Sequence, residues 1–171
     1  MSELRTNRII PRDGLPSGSA GGIIQVKSVT YTTQDSITNE NSFVSKGPSA
    51  TITPTRSDSK ILIQFSVNGQ NRTNGLHILG RLVKTIGGTQ STVLNLGLIS
   101  YGNSSHDQIE YISGSHLDSP ATTSAVTYQV GVIPGVSNSQ NIYINRSTGD
   151  RGQTGYDYRA VSNITAWEVS G

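Results

Sequence analysis

A chain of 171 residues with no cysteine and a formal net charge of +2 has no disulfide, thiolate metal site or cysteine nucleophile, and too little positive charge for phosphate-driven binding of nucleic acid. Only 33% of its residues are hydrophobic and 14% charged, so Ser, Thr, Asn and Gln supply the polarity; these suit strand surfaces and loops better than solvent-facing helices. The low net charge and repeated β-branched runs argue against disorder, and the length suits one domain that buries about 70% of its unfolded surface.

In chain order, residues 1–22 stand apart. MSELRTNRIIPRDG carries Arg5, Arg8 and Arg12 beside Glu3 and Asp13 and lacks the apolar core of a signal peptide. Nowhere does the chain approach the ~18 apolar residues of a membrane span, so the expectation is synthesis in a cytoplasm with no membrane insertion. Gly14 to Gly22 is a Pro/Gly/Ser stretch that reads as a connector. The segment is either a frayed terminus or an attachment arm. On the second reading Leu4, Arg5, Arg8, Ile9 and Ile10 make the contact, with the Ile9-Ile10 pair before Pro11 docking on a neighbouring subunit.

From Ile23 the pattern is β, and residues 23–171 form one expected sandwich domain. Ile24 and Val26 alternate with Gln25 and Lys27, which predicts a half-buried strand. Residues 50–67, ATITPTRSDSKILIQFSV, give a short strand, a polar turn at Pro54 and a long alternating strand. There Ile61, Ile63, Phe65 and Val67 form the apolar face, and Leu62 alone breaks the polar one. Further strands are predicted over 76–84, 91–99, 108–114, 125–132, 141–145 and 161–169. Turn signals separate them at Asn68-Gly69, Asn74-Gly75, Gly87-Gly88, Gly102-Asn103, Pro134-Gly135 and Gly149-Asp150. Short strands with regular turns predict an all-β antiparallel sandwich of jelly-roll type. Without heptads, an oligomer must form through sheet faces, strand edges or arms.

No catalytic constellation accompanies this scaffold. His77, His106 and His116 match no zinc spacing and read as surface or loop residues. Asp107 and Glu110 are the nearest approach to an acid pair beside a histidine, yet glycoside hydrolysis needs two carboxylates facing across a cleft. G-x-S-x-G, Walker and dinucleotide fingerprints are absent from the sequence. No cofactor or metal site is expected. The sequons at Asn71, Asn103, Asn145 and Asn163 are what a chain rich in Asn, Ser and Thr contains by chance. Among the tyrosines, Tyr128 and Tyr143 lie in β patterns and read as core or interface. Tyr156 and Tyr158 lie in RSTGDRGQTGYDYR, residues 146–159. That long loop, with Arg151, Tyr156, Tyr158 and Arg159, is the candidate recognition surface, or else an ordinary exposed loop.

Four segments together resemble virion structural proteins of tailed bacteriophages, of the cyanophage type and often tail-fibre-like. They are SELRTNRII with GGIIQV; TITP with SKILI, Thr51 to Ile63; HLDSPATTSAVTY, residues 116–128; and NIYINRS with SNITAWEV near the end. The resemblance covers most of the chain in order, and its motifs are structural rather than catalytic. It implies a homotrimeric β-sandwich located in the virion and mounted on capsid or tail proteins through the N-terminal segment. Its distal loops would meet a host surface glycan or protein. Beside this non-enzymatic fibre or appendage stand a capsid decoration protein that clamps capsomers and a free carbohydrate-binding module. A small depolymerase would need converging carboxylates that the sequence does not identify.

Overall fold

The computed structural model describes residues 22–38, 43–71, 77–101, 109–134, 141–149 and 159–170. They form ten strands and no helix: β1 (Ile23–Tyr31), β2 (Asp35–Thr38), β3 (Ser49–Ile52), β4 (Lys60–Asn71), β5 (His77–Ile86), β6 (Thr89–Tyr101), β7 (Glu110–Asp118), β8 (Val126–Pro134), β9 (Asn141–Ile144) and β10 (Ser162–Val169). All pairings between strands are antiparallel.

Two sheets result. In the first, β4 pairs with β10 along its first half and with β9 at its end, while β7 flanks its other side. The β10 strand then pairs with β1, and β9 with β2. Thus β1–β2 form one broken edge row and β9–β10 the next. The second sheet runs β3-β8-β5-β6. With each broken row taken as one strand, the orders β1-β10-β4-β7 and β3-β8-β5-β6 are those of a jelly roll, four strands to a sheet.

The alternation predicted for β4 holds. Ile61, Ile63, Phe65 and Val67 point into the sandwich and are buried. They pack with Leu82 of β5, Val126, Tyr128 and Val130 of β8, and Ile164 and Ala166 of β10. A second cluster, Ile37, Ile78, Val132, Ile142 and Ile144, fills the end near β2 and β9. Each fully buried aliphatic side chain contributes roughly 1.5–3 kcal/mol relative to exposure.

Several expectations change. Asn68-Gly69 lies inside β4 rather than in a turn. A Cβ at Gly69 would meet the Tyr143 carbonyl at 3.1 Å, so this glycine marks the close approach of β9. Gly87-Gly88 is a true hairpin turn, with φ of 56° and 82°, as a type I′ turn requires. His116 sits within β7 opposite Ile63 rather than in a loop. Ile24 and Val26 are exposed, not half-buried: Gln25 beside them takes the inward position opposite Glu168, and Val26 faces outward beside Trp167. The four-residue β2 is an addition to the expected strands, since DSIT is too short to show alternation.

Candidate functional site

Three polar joints and one sheet face are the chemically distinctive parts of the described residues. The first joint is at Glu168, which points inward from β10 and is fully buried. Its Oε2 accepts from Gln25 Nε2 at 2.6 Å. Its Oε1 accepts from both the backbone N and the Oγ1 of Thr55 at 2.7 Å. Gln25 also donates to the Thr53 carbonyl at 2.7 Å. The carboxylate therefore holds the Thr53–Ser59 crossing between β3 and β4, which passes from one sheet to the other. Burial alone would raise the Glu168 carboxyl. Hydrogen bonds from the Gln25 and Thr55 side chains and the Thr55 amide outweigh it and keep the group below its ordinary value.

The second joint couples the sheets. Lys84 Nζ of β5 donates to both oxygens of Asp118 on β7 at 2.9 Å, and the buried Tyr128 hydroxyl of β8 donates to Asp118 at 2.7 Å. Burial first, then the bond and the charge of Asp118, pushes the Tyr128 hydroxyl up.

The third joint is Asn145, fully buried at φ 59°. Its Nδ2 donates to the carbonyls of Tyr31 at 2.7 Å and Thr33 at 3.1 Å, where β1 breaks into β2. Its Oδ1 accepts from Ser162 Oγ at 2.6 Å, and that hydroxyl accepts from the Asn68 backbone N at 3.0 Å. One side chain thus closes the breaks in both composite rows. Asn71 and Asn145 are both buried, so neither sequon asparagine presents its side chain to solvent. Nearby, Tyr31 donates to Asp35. Burial, then the bond to Asp35 and its charge, raises the Tyr31 hydroxyl to about 12.

Of the predicted recognition loop, Arg151, Tyr156 and Tyr158 lie outside the described residues, as do the attachment candidates Leu4, Arg5, Arg8, Ile9 and Ile10. Arg159 is exposed and its backbone bridges to Arg146, so the ends of the loop are drawn together. Arg146 lies over the Tyr143 ring at 4.5 Å, a cation–π contact at the loop base. Tyr128 is core, as expected, whereas Tyr143 is half-buried and points outward.

The outer face of the β1-β10-β4-β7 sheet was not legible in the sequence. Register places Val26, Trp167, Leu62 and Leu117 in one row across four strands. Val26 and Leu117 are 43% and 49% exposed. The Trp167 Nε1 is buried without an acceptor among the described residues. Beside this row lies Ser28, Thr165, Gln64 and Ser115, then Thr30, Asn163, Ser66 and Ser113. The Ser28 and Thr165 hydroxyls bond each other at 2.9 Å. These three rows carry no charge.

No known family's sequence model matches the chain, and no curated protein does. Among solved structures the chain is similar to that of the infectious bursal disease virus Gt strain, at 12% identity and a TM-score of 0.45 over 97% of this chain and 46% of that one. The VP2 subviral particle of infectious bursal disease virus gives 13% identity and 0.43, over 97% and 46%. A family 35 carbohydrate-binding module from an environmental isolate gives 15% and 0.32, over 84% and 94%. The chain thus spans less than half the length of the two viral chains. At these scores the likeness bears on neither ancestry nor activity; the jelly roll rests on the strand order itself.

Proposed function

We propose that this chain is a non-enzymatic structural component of a tailed-phage virion. It serves as a fibre or appendage subunit, mounted on the particle through residues 1–22, with the 146–159 loop directed at a host surface glycan or protein. One observation supports this reading above others: the segments that carry the family resemblance coincide with the joints of the scaffold. Thr51 to Ile63 is the crossing gripped by Glu168. Residues 116–128 hold Asp118 and Tyr128. NIYINRS holds Asn145, and SNITAWEV holds both Ser162 and Glu168. Segments that serve architecture rather than chemistry are what a building block needs. Fold alone does not fix function, so particle association is the test.

Protein mass spectrometry and an electron cryomicroscopy map of purified virions should find the chain at a defined position. The double change Ile9→Asp/Ile10→Asp should lower its incorporation while the isolated protein keeps its fold. Absence of the chain from purified particles would overturn the reading. Many copies spread over the shell would assign it to capsid decoration instead.

A further inference from the structure

We infer that the outer face of the β1-β10-β4-β7 sheet is the seat of a second copy of this chain. This rests on the structural-protein reading for its biological setting, but its physical argument is separate. A solvated sheet face ordinarily carries both signs of charge, whereas interface cores between identical subunits are depleted in charge. Here the row Val26, Trp167, Leu62 and Leu117 and the two rows on its Ser/Thr side contain no charged residue, and the row on its other side, Ile23, Val169 and Lys60, places Lys60 at the rim. A charged face would need a partner of opposite sign and would repel its own copy. An aliphatic row meets its copy without penalty. Ser and Thr hydroxyls meet their copies equally well, because each both donates and accepts.

This face is therefore complementary to itself, as closed rotational symmetry requires near an axis. It is bounded by β1, which pairs only with β10 among the described residues. Half-buried Trp167 stands within the row, a residue type enriched at such interfaces.

Native mass spectrometry and light scattering on the full chain test the inference, with Val26→Glu and Leu117→Glu as variants. Both positions are exposed in the single chain, so the fold should survive, and circular dichroism should match the parent. The parent should be a discrete oligomer, and each variant should raise its dissociation constant at least about tenfold. Leu94→Glu, exposed on β6 of the other sheet, should leave the mass unchanged. A monomeric parent overturns the inference, as does an oligomer that both variants leave intact. Dissociation by Ile9→Asp/Ile10→Asp while Leu117→Glu stays assembled would assign the oligomer to the arm instead. An oligomer built through another face sinks this inference and leaves the virion reading standing. A chain that assembles through this face yet is missing from particles does the reverse.

Discussion

Replacing Glu168 is the most direct probe of how the sandwich is closed. In Glu168→Ala three donors lose their acceptor: Gln25 Nε2, the Thr55 amide and the Thr55 hydroxyl. Thr55 is exposed enough for water to replace part of what is lost, so about 1 kcal/mol per bond is appropriate, or about 3 kcal/mol together. For a chain of this size that corresponds to a fall in Tm of roughly 6–12 °C. Glu168→Gln retains one oxygen for Thr55 but turns an NH2 toward Gln25, and should cost about half as much. The carboxyl also makes the joint pH-dependent. Because it is held below its ordinary value, its contribution is complete above the unfolded value near 4.5 and is lost as pH falls through the folded one. Urea titrations at fixed protein concentration, from pH 7 down to pH 3, should show a steeper acid loss in the parent than in Glu168→Gln. Amide exchange at Thr55 should accelerate in both variants. A loss under about 1 kcal/mol in Glu168→Ala, with Thr55 protection unchanged, would refute the staple.

Alkaline titration followed by phenolate absorbance should show Tyr31 ionising late, near 12. Its folded value is raised, so stability is full below about 10 and declines as pH rises toward 12; Tyr31→Phe should remove that part of the decline. Asn145→Asp should unfold at least about 2 kcal/mol more easily at neutral pH, because a buried carboxylate would face the Tyr31 and Thr33 carbonyls it now donates to. Chemical denaturation reads this directly, and recovery at low pH would not restore the second donor. Gly47→Ala should be among the worst-tolerated changes outside the core. Its φ is 146°, and a Cβ there would lie 2.2 Å from the Val130 carbonyl; a Tm within 2 °C of the parent, measured by calorimetry, would contradict that.

The strand pattern was readable because burial on one face writes itself locally as period-2 alternation. Ile61 to Val67 declared β4, and Gly87-Gly88 declared the β5–β6 turn. Asn68-Gly69 misled because the same dipeptide that makes a hairpin turn also permits close passage of another strand. Here it is the β9 backbone, brought in from far along the chain.

The sequence by itself determined an all-β sandwich, the inward face of its long strands and the lack of a familiar catalytic motif. All of these depend on neighbours within a few residues. Only the tertiary structure decided which polar groups became joints. Glu168 meets Thr55 across 113 positions, and Ser162 meets Asn145 across 17. Only register, likewise, gathers Val26, Leu62, Leu117 and Trp167 into one row. In the sequence Leu62 is a lone exception on a polar face, while Val26, Leu117 and Trp167 lie far from it on three other strands. Pairing of distant strands gathers the four into one surface, because a sheet aligns residues by hydrogen-bond register rather than by their order in the chain.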